Sequence, residues 1–508
     1  MATSFALYGL YVTMGSCNNT TLDNKNLSLK EVPSPGGALP YFGHLFKIPS
    51  SLPALKFDEW HRQYGPLIRV KMGVEQWIVI GERRIANDIL KAKGAVTSGR
   101  PYHLFLSQYH TLQQRGPVFT QPDKRWKKNR TAAQTILGTK GVDQNMYIIE
   151  SEAARITKML LEGSANNGNI NITKYMQLAP LNVILRTCFG KSVTSIDDPL
   201  FLAIVETIDA TVKWGAPRQD MGSFLPAFSK IFELFMGTEE HMQHYTYEVR
   251  NPLFRRLIQE AVKNDTPCFA KVMHRLKEED EFEEDDIIVF MSDMVNAGTD
   301  PTAVTLMWAF VILSHYPNVQ KKICDEVDEF ITMHNRLPHY SERENFPYLI
   351  SVQKECMRYR SAKHLAIPQK ATQDFEYQGY IISEGAVILP NTYTLCGSTE
   401  FYDSPEEFIP ERYINDLSSF SESVNASIDV RDQYTFGWGR RMCPGVHLVD
   451  VEFFNIWVHI FAASIIEPKL DKDGKFKYVD LNRCNDLGIL VAPENPYLRF
   501  VKRPDCLI

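Results

Sequence analysis

Apolar positions recur at helical spacing over most of this chain. The longest such run, residues 285–316, would make about nine turns and stops at Pro317, which cannot continue a helix. Shorter helical stretches fall at 82–93, at 121–136 behind Pro122, and at 145–161, 178–189 and 199–236; within the last, GAPRQDMGSFLP (215–226) reads as a turn between two helices. Residues 446–466 are apolar but interrupted by Asp450, Glu452, Asn455 and His459, which predicts a core helix rather than a membrane span. Strand alternation is confined to two places. Ile68, Val70 and Met72 alternate ahead of Gly73 and are followed by QWIVIG, a hairpin pattern; 379–395 alternates again. The expected fold is mainly α (α+β), with a small β-rich part near the N-terminus. No linker, repeat or low-complexity tract divides it, so residues 31–508 are expected to form one domain. Residues 100–120 lack periodicity and carry Tyr102, Phe105, Tyr109 and Phe119, which marks a long functional loop.

Charge and the N-terminus narrow the picture. The net charge of -6 argues against a nucleic-acid footprint. The acidic run KEEDEFEEDD (277–286) reads as a solvated loop before a helix, whereas Lys124, Arg125, Lys127 and Lys128 cluster four cations on one helix. Residues 1–22 carry no charged side chain, but the apolar run 5–14 would span ~15 Å as helix against a hydrocarbon core of ~30 Å. Residues 1–30 are therefore expected to be a tail or a short membrane-associating segment, followed by a stiff Pro/Gly-rich stretch at 32–45. The nine cysteines are odd in number and scattered without paired metal spacing, which points away from a disulfide framework or a zinc site and towards a reducing compartment.

The chemistry concentrates in FGWGRRMCPG, 436–445, directly before the apolar stretch 446–466. A thiolate needs close-wrapped backbone and a positive environment. Gly437, Gly439 and Gly445 allow the first, Arg440 and Arg441 supply the second, and the start of a helix after Cys443 adds its dipole. Phe436, Gly439, Arg441, Cys443 and Gly445 fit F-x-x-G-x-R-x-C-x-G, which resembles the haem-binding signature of the cytochrome P-450 (haem-thiolate monooxygenase) family. Other stretches resemble it in the same order. Trp126 and Arg130 match W-x-x-x-R; Ala297, Gly298 and Asp300 match A/G-G-x-D/E-T-T/S; Glu355 and Arg358 match E-x-x-R; PEEFIPERY carries Arg412.

The resemblance implies haem b ligated by Cys443, propionates held by Trp126, Arg130 and Arg441, and a buried structural triad of Glu355, Arg358 and Arg412. It places the 100–120 loop over the substrate pocket. It departs from the family at Pro301, which stands where a proton-delivering Thr is usual; Thr302, Thr299, a water or the substrate's own hydroxyl could replace it, and Asp300 with Thr302 is the expected pair. A mid-helix proline should also bend the helix there. Past Arg358 the family places a basic residue for a propionate about ten positions on; this chain has Pro368, Gln369 and Lys370. The implied activity is insertion of one oxygen atom into an apolar small molecule. Electrons would come from NADPH through a reductase docking near the basic cluster, on the cytosolic face of the endoplasmic reticulum membrane. The alternative is a haem-thiolate isomerase or dehydratase acting on a peroxide-type substrate without reductase.

Overall fold

The computed structural model describes residues 30–279 and 281–504. The expected membrane-associating segment therefore lies outside the described residues. The molecule is mostly helical with small sheets, as the periodicity implies. Its spine is the helix Glu284–Ser314, 31 residues long, closed at its start by a capping box in which Asp286 accepts from the Glu283 backbone N–H. From Thr302 to Ser314 it is buried on nearly every side, the mark of a helix that crosses a core rather than covering one. It packs most extensively on Thr173–Phe189. The two approach so closely at Gly298 that a Cβ there would stand 2.7 Å from the Ile184 side chain. The helix continues through Pro301 without interruption. Helix Val446–Ala463 packs against Met146–Asn167. Among the described residues it alone is long and apolar enough to cross a membrane, and it is mostly buried, which makes it the expected core helix.

The predicted hairpin is present as Leu67–Met72 and Glu75–Ile80, with Leu67 opposite Ile80. Val387–Pro390 joins it in parallel and Gln369–Lys370 closes the four-stranded sheet. A second four-stranded sheet brings Ser464–Leu470 and Tyr497–Lys502 beside Ile170–Asn171 and Phe476–Lys477. Several boundaries differ from the sequence reading for local reasons. Asp123, not Pro122, caps Lys124–Leu137 by accepting the Trp126 N–H at 2.7 Å. The 82–93 stretch begins as helix Arg83–Ala86 and widens into a π-helical segment, Asn87–Ala92, and 100–120 contains another, Leu104–His110. The acidic run is not simply solvated. Glu281 pairs with Lys128, Glu283 with Arg115 and Arg125, and Glu284 with Arg255 and Lys277.

Glu355, fully buried on helix Pro347–Tyr359, is gripped from two directions. Arg358 donates to both its oxygens, at 2.7 and 2.8 Å; Arg412 Nε reaches Oε2 at 3.1 Å, and the Ile409 N–H reaches Oε1 at 2.9 Å. Arg358 also donates to the carbonyls of Cys396, Pro405 and Glu407, so one side chain ties the helix to two distant loops. Removing the central carboxylate would strand two guanidiniums. Glu355→Ala is predicted to cost about 3–5 kcal/mol, as breaking a buried ion pair does, and to show as loss of soluble, cooperatively melting protein; a melting temperature within a degree or two of the parent would contradict it.

Candidate active site

The loop at 436–445 wraps Cys443 through its backbone. The Cys443 N–H donates to the Phe436 carbonyl at 2.8 Å, while Gly437 and Gly439 both take positive φ, 80° and 55°. A Cβ on Gly439 would lie 2.0 Å from the Leu90 carbonyl oxygen of the π-helical segment, so only glycine allows these two backbones to meet. Gly445 then opens helix Val446–Ala463. The loop is braced from outside. Arg431 Nη2 donates to the Gly437 carbonyl at 2.5 Å and its guanidinium lies 3.9 Å over the Trp438 ring, which in turn stacks on Tyr434. Phe436 packs on Phe420. Cys443 is half-buried and faces a cavity shared with Ala297, Asp300, Pro301 and Thr302 of the long helix.

Three guanidiniums converge on this cavity, and none of them is paired with a carboxylate among the described residues. Arg441 donates to the carbonyls of Ser98 (2.9 Å) and Thr120 (2.6 Å), and its buried Nη1 has no partner among the described residues. Arg100 donates to the carbonyls of Val118, Ile367 and Pro368, and Arg130 to that of Met442. Burial, and then their mutual repulsion, pushes the pKa of Arg441 down to about 9 and that of Arg100 well below the usual guanidinium range. Burial lowers Arg130 too, against the pull of Cys443. A buried group of like charges with an orphaned donor is a socket for an anion, and the two carboxylates of a haem fit it. Arg100 was missed in the sequence because it reads as the edge of an aperiodic loop.

Trp126, expected to hold a propionate, lies beside the arginine group. Its single N–H donates to the Pro117 carbonyl at 3.0 Å, and its ring lies 4.6 Å under the Arg441 guanidinium. Gln369 lines the cavity with an unpartnered buried Oε1. Of the four aromatics in the 100–120 loop, Phe119 lines the cavity; Phe105 and Tyr109 pack instead with Met242 and Tyr245, and Tyr102 is exposed. The loop is pinned to the long helix by His110, whose ring nitrogen lies 2.8 Å from Asp293 in a fully buried pair.

Asp300 is 4% exposed, and burial pushes its carboxyl up to about 6 even though Gln177 donates to it at 2.9 Å. Gln177 had no signal of its own in the sequence; it acts because Thr173–Phe189 lies against the long helix. Thr302 is buried on the cavity wall, and Thr305, one turn beyond Pro301, donates its hydroxyl to the Pro301 carbonyl at 2.7 Å. A second cavity, largely apolar, runs outward past Phe46, Ile48 and Phe224 and shares Phe119, Ala366, Ile367 and Ile489 with the first.

Comparison with known proteins agrees with this geometry. The family model described as Cytochrome P450 matches residues 33–477. Cytochrome P450 monooxygenase virE of Hypocrea virens is 25% identical over 471 residues, covering 91% of this chain and 84% of its own. Cytochrome P450 monooxygenase fogE of Aspergillus ruber is 26% identical, covering 88% and 85%, and claR of Ampulloclitocybe clavipes 27%, covering 87% and 81%. A zebrafish cytochrome P450 solved with progesterone shares the fold at a TM-score of 0.72 and 22% identity, over 89% of this chain and 99% of that one. The names of these relatives do not favour the isomerase or dehydratase alternative. With a family model spanning most of its length and this arrangement of cysteine, arginines and long helix, the chain belongs to the cytochrome P450 family, as an oxidoreductase of the monooxygenase kind.

Proposed function

We propose that this protein inserts one atom of dioxygen into an apolar small molecule at a haem whose iron is held by Cys443, with electrons supplied from NADPH through a reductase. The observation that carries the reading is the single cavity walled by Cys443, by Arg100, Arg130 and Arg441, and by Asp300. A thiolate-ligated haem, when bound, supplies the electron-rich chemistry that favours O–O cleavage. The protein's own residues do the rest. Gly437 and Gly439 let the loop close around the sulfur, Phe436 and Gly445 hold its two ends, and the three arginines receive the propionates. The outer apolar cavity admits a substrate and excludes water around it.

Because one oxygen atom must leave as water, protons have to reach the site. Asp300 is placed to hold one, with Gln177 fixing its orientation and the Thr302 hydroxyl as the next carrier. Exposed Phe46, Ile231, Leu234 and Phe235 support membrane association; Phe42 packs on both Phe46 and Phe228, and Phe46 lines the mouth of the outer cavity. That orientation fits the cytosolic face of the endoplasmic reticulum. For the reductase, the basic cluster is smaller than its sequence suggests. Arg125 and Lys128 are engaged by Glu281, Glu283 and Asp286, which leaves exposed Lys124 and Lys127, with Arg440, to meet an acidic partner.

The reading is tested by oxygen consumption that requires NADPH, reductase and substrate together. Cys443→His should abolish the red-shifted carbon monoxide band of a thiolate-ligated ferrous haem, and a surviving band would remove Cys443 from the iron. Arg130→Ala and Arg441→Ala should each lower haem occupancy sharply, since a charge-assisted bond is worth roughly 1.5–3 kcal/mol; full occupancy in both would free those arginines of the role. Charge reversal at Lys124 and Lys127 should slow reductase-driven reduction at low salt and matter less as salt rises. Equal rates at low salt would place the reductase elsewhere.

Asp300 gives a prediction whose sign follows from its pKa. Folding raises it from the ordinary carboxylate value to about 6, so the ionised group opposes folding fully above about pH 6, and that penalty disappears below the unfolded value of about 4. Asp300→Asn should therefore melt higher than the parent at pH 8, with the gap closing as the pH falls to 5. A gap that widens on acidification would contradict the burial argument. The same variant should divert reducing power to peroxide, measured as the ratio of peroxide to product.

A further inference from the structure

Lys363 is a cation in the wrong company. It lines the inner cavity where this meets the outer one: Ala366 and Ile367, on the same segment leaving helix Pro347–Tyr359, line both cavities, and the ammonium makes no hydrogen bond or ion pair among the described residues. Its backbone is fixed by Ser361, whose hydroxyl donates to the Lys363 carbonyl at 2.9 Å and accepts its N–H at 3.3 Å. None of the acids on the same cavity wall is paired with Lys363 among the described residues. Asp293 is paired with His110, Asp300 with Gln177, and burial holds the Glu452 carboxyl far above its ordinary range with no cation to offset it. The remaining wall is mixed: Phe119, Ile184, Ile367 and Ile489 are apolar, and Asn296, Thr305 and Gln369 are polar but uncharged. A long charged side chain without a counter-ion in such a place is retained at a cost in stability.

An ammonium without a counter-ion, on a wall that also carries apolar side chains, suits an otherwise apolar molecule with one negative charge. The cofactor's own carboxylates are already matched by Arg100, Arg130 and Arg441, which repel one another until anions arrive. We propose that Lys363 anchors the carboxylate of the substrate, so that this enzyme oxidises an apolar carboxylic acid at a carbon away from its acid group. The proposal rests on the monooxygenase reading of the cavity and deepens it.

The test uses the haem-loaded protein and three probe pairs, each an acid with its methyl ester: dodecanoic acid, abietic acid and 4-phenylbutyric acid. Affinity is read both by calorimetry and by the spin-state shift of the haem spectrum. In the parent, at least one acid should bind about tenfold or more tightly than its ester, the value of one charge-assisted hydrogen bond. Lys363→Met should bring acid and ester within about twofold, Lys363→Arg should keep the preference, and haem content should match the parent in both. Lack of an acid preference in every pair, or a preference that survives in Lys363→Met, would overturn the proposal. A loss of haem in Lys363→Met like that expected for Arg130→Ala would also overturn it, by giving Lys363 to a propionate. Failure of the underlying reading looks different: the parent would then lack the thiolate carbon monoxide band, whatever calorimetry reports of acids and esters.

Discussion

A carboxylate with no solvent around it holds this molecule in register. Glu355 satisfies two guanidiniums and a backbone N–H at once, and Arg358 spends its other donors on carbonyls of the 396–407 region. The Tyr402 ring lies 5.1 Å from the Arg358 guanidinium, and Tyr402 clusters with Tyr413, Tyr434 and Trp438. Tyr434 and Trp438 flank the loop that carries Cys443. A contiguous packed network thus joins the ion cluster to the sulfur's surroundings, and because ion pairs of this kind are fixed in geometry, the loop inherits a rigid floor.

The opposite wall is set by helix packing. Gly298 lets the long helix settle onto Thr173–Phe189, which brings Gln177 within reach of Asp300. Pro301 sits in the next turn with no N–H of its own, and the Thr305 hydroxyl bonds its carbonyl. The carboxyl group of Asp300 is therefore oriented by a neighbouring helix rather than by its own.

Local signals made much of this legible. Helical periodicity located the long helix to within two residues at either end, because a core-crossing helix carries its apolar pattern throughout. The glycines around Cys443 announced a loop that needs positive φ, and two of them have it. What sequence could not carry was partnership across hundreds of residues. Arg100 and Lys363 have no periodic context, and they converge with Arg130 and Arg441 only once four segments are folded together. The spacing of Trp126 and Arg130 gave no hint that the indole N–H donates to a carbonyl nine residues upstream. The acidic run at 277–286 reads as solvated by composition, yet its carboxylates find Arg115, Arg125, Lys128 and Arg255, residues distant in sequence.

The clustering of Arg100, Arg130 and Arg441 bears on how the protein matures. Three like charges forced into one dry space raise the free energy of any compact state that forms before a dianion arrives to neutralise them. Whatever binds the finished cavity and not the open chain adds its binding energy to folding. If these arginines take the propionates as proposed, the supply of porphyrin becomes a condition for folding, and chains that outrun it are the ones exposed to proteases and chaperones.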